Sequence, residues 1–340
     1  MDLSGERWEA VTSFERETIA RALAKDLPTG FHFEAVARFE LGDASHHVAL
    51  FRKDGAVFAL IPSAEVTLGF DPDRPWEPNP DELESWEATA EEYEIDRTIR
   101  EYIAEVTLRP RRVQLPPLLI EVEAKEVGWS PVGLDDPVVR EIVREHGTKR
   151  RVEMSRGGTS TRVRPGDDGQ LIAERSLVAT HAELSARLAA GGYRFPTSDE
   201  WEYACGAGTS TLFRWGDHAP CDRYPTDVSP AEAAWRRRWA LSGGKLEPPA
   251  EGFRSDWDAH GRPNAFGLSI AADPYKWELV AEAGTTRGGD GGCTICGGVG
   301  FFLGWLTLAT AYFEEHSCRH DPAEPISQGY TVGRRVLDLG

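Results

Sequence analysis

The chain has 340 residues, of which 40% are hydrophobic and 28% are charged, a composition typical of a folded globular protein and not of a disordered one. Its 38 Lys and Arg residues are outnumbered by 56 Asp and Glu residues, which gives a formal net charge of -18. Because the electric field of a protein with this negative charge repels phosphate groups at long range, we expect no nucleic acid and no membrane among its partners.

The first third of the chain predicts a helix, a hairpin and a further strand. A capping-box pattern precedes an amphipathic helix over residues 13–27. Residues 46–70 alternate between apolar and polar side chains and turn at Asp54-Gly55, a pattern typical of a β-hairpin. The acidic stretch 71–101 predicts a long excursion with one short helix, and residues 109–122 predict another strand.

The middle of the chain predicts three more helices. The first begins at Asp136-Pro137 and ends at Gly147, and the second begins after the capping residue Thr180. Between them, the basic and glycine-containing residues 149–169 predict a loop. A further capping box predicts the third helix, beginning at Ser198.

One segment is apolar enough to raise the question of a membrane span. Residues 294–313 carry no charge over about 20 residues, the length that crosses a bilayer. The segment contains four glycines and has no flanking Lys or Arg anchor, so it favours a buried core instead. The start of the chain shows neither the basic nor the apolar region of a secretion signal, and we expect a cytoplasmic protein.

The cysteines are candidates for chemistry. They are Cys205, Cys221, Cys293, Cys296 and Cys318. An odd number in a reducing compartment favours free thiols, metal ligands or redox chemistry over disulfides. Cys293 and Cys296 form a C-x2-C pair among glycines, and two such thiols suit Cu(I), Zn(II) or a redox disulfide. The alternative is that each cysteine is a small, buried apolar residue.

A second group of candidate metal ligands follows this pair. His316, Cys318 and His320 occupy alternate positions, so they would face one side of a strand or of an extended loop. Together with Cys293 and Cys296 they could complete a tetrahedral metal site. The alternative is a plain exposed loop.

Residues 194–217 resemble a known signature. They contain RFPT, EWEYA and FRWGD in the places of the R-L-P-T, E-W-E-Y-A and Y-P-W-G-D strings of the formylglycine-generating enzyme, or sulfatase-modifying factor, family. Further segments match that family in order: ALIPSAEVTLGF at 59–70, RRVQLPPLLIEVEAKEV at 111–127, PNAFGL at 263–268, KWE at 276–278, RGG at 287–289 and GRR at 333–335. The resemblance covers residues 45–338 and indicates a divergent member.

The resemblance implies an α+β protein with a C-type-lectin-like, formylglycine-generating-enzyme-like fold that is rich in loops and has few regular elements. The family domain would occupy residues 45–340, and residues 1–44 would form an appended N-terminal helix and strand. In such a core, Trp201, Trp215 and Trp277 would all be mostly buried.

The resemblance also implies a chemistry. Family members oxidise a substrate cysteine to formylglycine with dioxygen, using two cysteines that bind Cu(I). Cys293 has the family's spacing from Arg-Gly-Gly, whereas Cys296 follows it too closely and an uncharged run replaces the family's R-Y-R. Asp290 takes the place of a serine, and Tyr275 replaces an asparagine that helps to hold calcium, which argues against a calcium site.

Two functions are therefore expected as alternatives. In the first, the protein is a copper-dependent, oxygen-using oxidoreductase acting on a peptide or small-molecule substrate, with Cys293 and Cys296 as catalytic residues. The flanking glycines would then turn the chain back and bring the two sulfurs within about 4 Å, close enough for a shared soft metal or a disulfide. In the second, it is a non-catalytic, lectin-like module that binds a ligand or a protein partner.

Overall fold

The computed structural model describes residues 2–166, 169–326 and 329–340. The helices are α1 (Gly5–Ala10), α2 (Ser13–Asp26), α3 (Pro80–Glu92), α4 (Ile99–Val106), α5 (Pro137–His146), α6 (His181–Ala190), α7 (Ser198–Gly206), α8 (Pro230–Leu241), α9 (Cys293–Gly297), α10 (Phe301–Leu306) and α11 (Glu315–Cys318). The strands are β1 (His32–Leu41), β2 (Ala44–Lys53), β3 (Ala56–Ile61), β4 (Ala64–Leu68), β5 (Arg111–Leu115), β6 (Leu118–Glu121), β7 (Lys125–Glu126), β8 (Trp129–Pro131), β9 (Val152–Arg156), β10 (Thr159–Pro165), β11 (Leu171–Ser176), β12 (Trp277–Leu279), β13 (Thr286–Arg287), β14 (Thr331–Gly333) and β15 (Val336–Asp338).

A five-stranded antiparallel sheet in the order β1-β2-β3-β6-β15 joins the two ends of the chain. The predicted hairpin is confirmed: β2 and β3 are joined by Asp54 and Gly55, both at positive φ (51° and 78°), as a tight primed turn requires. Helix α2 covers this sheet by packing Ala20 and Leu23 into the same apolar cluster as Phe51. The N-terminal residues therefore supply an edge strand and a covering helix to a sheet that continues to the C-terminus.

A four-stranded sheet in the order β8-β11-β10-β9 corrects the sequence interpretation of residues 149–169. The predicted loop is wrong, because β9 and β10 form a hairpin that turns at Gly157 and Gly158, both at positive φ; residues 167 and 168 lie outside the described part of the chain. Apolar and polar side chains alternate along this hairpin, so that Val163 faces Ile142 of α5. The many charged residues of the hairpin made this alternation hard to recognise in the sequence.

The structure divides two predicted elements between residues 71 and 122 into smaller ones. The acidic excursion contains two helices, α3 and α4, instead of one. The predicted strand is broken at Pro116-Pro117 into β5, which pairs with β4, and β6, which pairs with β3 in the large sheet. Proline lacks an amide donor, so the break falls where strand pairing cannot continue.

The buried core predicted for the uncharged segment 294–313 is confirmed for residues 302–312, whereas residues 294–300 are exposed or partly exposed. Phe302, Trp305 and Leu306 of α10 are buried in a cluster with Trp76 and Trp86. None of the described helices is long and apolar enough to cross a membrane. Helices packed beside several mainly antiparallel sheets confirm the α+β class.

Candidate active site around Cys293 and Cys296

Helix α7, which carries the family signature, is fixed at its start by its own side chains. Thr197 accepts the Glu200 amide at 3.2 Å, and the Glu200 carboxylate accepts the Thr197 amide at 2.8 Å. Arg194 adds an ion pair to Glu200 at 2.6 Å. The predicted capping box is confirmed, and it orients the next two signature residues, Trp201 and Glu202.

Trp201 and Glu202 hold the strand that leads to the cysteines. The Arg287 guanidinium of β13 is fully buried, donates to Glu202 at 2.9 Å and to the Thr310 carbonyl at 2.9 Å, and lies 5.2 Å from the Trp201 ring. Gly288 follows at a φ of 80°, and a Cβ there would come within 2.8 Å of the Trp201 ring. The Arg-Gly-Gly motif is thus a packed element whose first residue anchors the chain in the core.

Residues 289–292 form a tightly packed turn. A Cβ on Gly289 would lie 2.6 Å from the Lys276 carbonyl oxygen, and one on Gly292 would lie 2.2 Å from the Tyr275 ring. The buried Asp290 carboxylate accepts the amides of Gly292 at 2.8 Å and Thr294 at 3.0 Å. Burial raises the pKa of Asp290, and these amide donors oppose the shift. Asp290 therefore organises the turn at the position where the family has serine.

The two cysteines lie on a single helical turn. Cys293 begins α9, and the Cys296 amide donates to the Gly292 carbonyl at 2.7 Å. Gly292 and Gly298, at φ values of 80° and 71°, flank this turn. The positive φ expected of the flanking glycines is confirmed at Gly292 and Gly298, but a helical turn and not a reversal of the chain brings positions i and i+3 to the same face.

The helical turn presents the two cysteines side by side. Both thiols are free and both residues are exposed. Side chains three positions apart on a helix are neighbours on its surface, with Cβ atoms about 5–6 Å apart. The turn therefore presents two neighbouring free thiols, as a shared soft metal ion requires.

Tyr275 lies beside the thiol pair. The Cys296 thiol donates to the Tyr275 hydroxyl oxygen at 3.5 Å. Burial and this contact raise the pKa of Tyr275 to about 12, and the Arg236 guanidinium of α8 opposes the shift. Burial, Asp290 and Cys296 raise the pKa of Cys293. The phenol and the Cys293 thiol therefore both hold their protons at neutral pH.

The other three cysteines differ from this pair because they are buried. Burial raises the pKa of Cys205 to about 11 and that of Cys318 to about 12, and it also raises the pKa of Cys221. These thiols are packed among apolar side chains, as the alternative interpretation of the cysteines proposed for all five.

The structure does not place the predicted second group of ligands on one face. His316 is exposed on the helical turn α11, and Cys318 on the same turn is buried. His320 is half-buried, with its Nε2 at 3.2 Å from the Thr286 hydroxyl. Over residues 2–166, 169–326 and 329–340, no three or more His, Cys, Asp and Glu side chains form a group that could hold a metal ion.

The three tryptophans expected to be mostly buried differ in degree. Trp201 and Trp215 are buried, and Trp277 is partly buried and lines a surface pocket. The residues that sequence reasoning missed at this site are Tyr275 and Asp290 as contacts of the cysteine turn. The sequence did contain a signal for both, because each departs from the family pattern next to a motif that is retained.

Comparison with known proteins gives one match. The model of the sulfatase-modifying factor enzyme 1-like domain matches residues 163–321. This range includes helix α7, the PNAFGL segment at 263–268 and the turn that carries both exposed cysteines. No curated protein matches the chain. The match and the ordered motifs agree: residues 163–321, just under half of the chain, match the sulfatase-modifying factor enzyme 1-like domain of the formylglycine-generating enzyme family.

Proposed function

We propose that this protein is a copper-dependent, oxygen-using oxidoreductase that acts on a peptide or small-molecule substrate. Cys293 and Cys296 would be the catalytic residues and the Cu(I) ligands. One observation carries the proposal: the two exposed free thiols lie on one helical turn, directly after the buried Arg287 that starts the family motif.

The donor set fits Cu(I) better than zinc or calcium. Thiolates are soft ligands that select Cu(I), which two of them can bind, whereas a structural zinc site takes four ligands. No third His, Cys, Asp or Glu joins the pair among the described residues. Tyr275, in the place of the calcium-binding asparagine, packs on Gly292 instead of offering an amide oxygen.

The residues around the pair have definable roles in this reaction. Bound Cu(I) would supply the electrons with which dioxygen is activated. Asp290 fixes the turn through the Gly292 and Thr294 amides. Tyr275 is protonated at neutral pH, so its hydroxyl can donate a hydrogen bond to the Cys296 sulfur once that sulfur is a thiolate. Metal binding must displace the Cys293 proton, since the ligand is the thiolate.

Titration of the anaerobic, metal-free protein with Cu(I) against a chromogenic Cu(I) chelator tests this proposal. We expect one Cu(I) per chain and at least a hundredfold loss of affinity in Cys293→Ser and in Cys296→Ser. The control is His316→Ala, which changes an exposed predicted ligand that lies outside the pair and should leave the affinity unchanged. Copper that stays bound in Cys296→Ser would overturn the assignment.

The second candidate is a non-catalytic module that binds a ligand or a protein partner. It is favoured by the segment after Cys296, where Phe302 and Trp305 pack into the core in the place of the family's Arg-Tyr-Arg. A polar substrate-binding wall is thereby lost. Oxygen consumption by the copper-loaded protein with thiol-containing peptides separates the two: consumption dependent on Cys293 supports the oxidoreductase, and its absence supports the binding module.

A further inference from the structure

A pocket beside the cysteine turn has aromatic walls and an acidic rim. Its volume is about 380 Å³, and its aromatic lining consists of Trp277, His320 and Tyr330. Asp321 and Glu324, both exposed, stand at its rim. Trp277 belongs to the family segment KWE at 276–278, but neither the copper chemistry nor the family motifs account for the carboxylates beside the rings.

The rings are arranged around the cavity and not stacked on each other. The Trp277 and His320 centroids are 4.9 Å apart with planes at 72°, and those of Trp277 and Tyr330 are 6.5 Å apart at 67°. In an edge-to-face pair the partner covers at most one face of one ring, so the pairing itself leaves the other faces uncovered. Free aromatic faces carry the negative end of the ring quadrupole, which attracts cations.

The charges around the pocket are negative, as are the faces of the aromatic rings. No Lys or Arg is among the described residues that line it. The nearby Lys276 is turned away, with its ammonium 2.7 Å from the Gly329 carbonyl oxygen and 3.5 Å from Glu126. Burial lowers the pKa of His320, and Glu324 opposes the shift, so the imidazole is neutral at pH 7.

We propose that this pocket binds a small organic ammonium ion. Trp277 and Tyr330 would contact the cation through their ring faces, and Asp321 and Glu324 would supply the compensating charge. The volume of about 380 Å³ lies at the lower end of the range of about 300–1,000 Å³ that is typical of small-molecule pockets, and it has room for a ligand of choline size. The proposal does not depend on copper or on the thiols.

The pocket and the cysteine turn nevertheless share one residue. A Cβ on Gly291 would lie 2.6 Å from the Trp277 ring, so the indole packs on the turn two residues before Cys293. Any ligand held against Trp277 is thus bound next to the chain segment that carries the thiols. Binding can be measured separately from thiol chemistry by using Cys293→Ser as the host protein.

The experiment compares choline with its uncharged isostere, 3,3-dimethylbutan-1-ol, by isothermal titration calorimetry. We expect saturable binding of choline at one site, and at least tenfold weaker binding of the alcohol, a difference of about 1.4 kcal/mol. Tyr330→Ala should weaken choline binding about tenfold, and Tyr330→Phe should restore it, because Tyr330 is exposed and its ring supplies the attraction. Glu324→Gln should weaken it several-fold.

The matched control is Glu315→Gln, which removes an exposed carboxylate outside the pocket and should leave choline binding unchanged. Three results would overturn the proposal: no heat of binding for choline, equal affinities for choline and the alcohol, or choline binding that survives Tyr330→Ala. Binding in Cys293→Ser that equals binding in the parent protein keeps this site distinct from the copper proposal.

Discussion

Helix α7 and helix α9 both carry family motifs, but they are held in opposite ways. The α7 residue Glu202 is buried and bonded by Arg287, by Arg111 and by the Gly69 amide. The α9 cysteines are exposed, and the Tyr275 contact of Cys296 is the one side-chain hydrogen bond described for them. The motif residues that support the fold are thus fixed by many partners, whereas the thiols that would do the chemistry have few.

The largest effect that separates the two regions should come from Glu202→Ala. The change leaves the Arg287 guanidinium buried without its carboxylate, and breaking such a pair costs about 3–5 kcal/mol of folding free energy. Urea unfolding gives the value. The control Glu65→Ala breaks an exposed pair with Arg112 and should cost less than about 1 kcal/mol; equal costs for the two would contradict the scaffold role of Glu202.

Two tryptophans extend the comparison. Trp201→Ala removes a fully buried ring and should cost about 3–5 kcal/mol. Trp277→Ala should cost less, since the stabilisation scales with the apolar area buried and this ring is partly exposed in the pocket. Thermal unfolding of both variants under one set of conditions checks the order. A larger loss for Trp277 would show that it is a core residue after all.

A smaller effect is expected within the cysteine turn itself. Gly292→Ala and Gly298→Ala both place a side chain in the left-handed region, at a cost of about 1–2 kcal/mol each. In Gly292→Ala the new Cβ also meets the Tyr275 ring at 2.2 Å, whereas nothing lies within 4 Å at Gly298. The difference between the two free energies of unfolding measures the clash with Tyr275, and we expect Gly292→Ala to be the more destabilised.

The thiols provide a comparison that does not depend on folding energy. In the native protein, a colorimetric thiol reagent should react rapidly with the exposed Cys293 and Cys296 and slowly with the three buried cysteines. All five should react in denaturant. Rapid reaction of only one thiol in Cys293→Ser is the expected control result, and rapid reaction of Cys318 in the native state would contradict the burial described for it.

Local patterns in the sequence predicted those parts of the molecule that local interactions determine. The capping box at Thr197 and the turn at Asp54-Gly55 form as expected, because each satisfies its own backbone groups. The hairpin of β9 and β10 was missed because its many charged residues resembled those of a loop and obscured the apolar side chains that pack on α5.

The candidate site was predictable in its residues but not in its geometry. The spacing after Arg287 indicated Cys293, yet the helical turn depends on Asp290 and on the packing of Tyr275 against Gly292, which no spacing rule contains. The alternation of His316, Cys318 and His320 predicted a shared face only for an extended chain, and α11 is helical. Tertiary packing decided both outcomes.

The most direct test of the copper-thiolate proposal is X-ray absorption spectroscopy of the protein loaded with one equivalent of Cu(I). The exposed pair on α9 predicts copper bound by two sulfur ligands, with one sulfur lost in Cys293→Ser and one in Cys296→Ser. Copper bound mainly by nitrogen, or a spectrum unchanged in either variant, would contradict the assignment of Cys293 and Cys296 as its ligands.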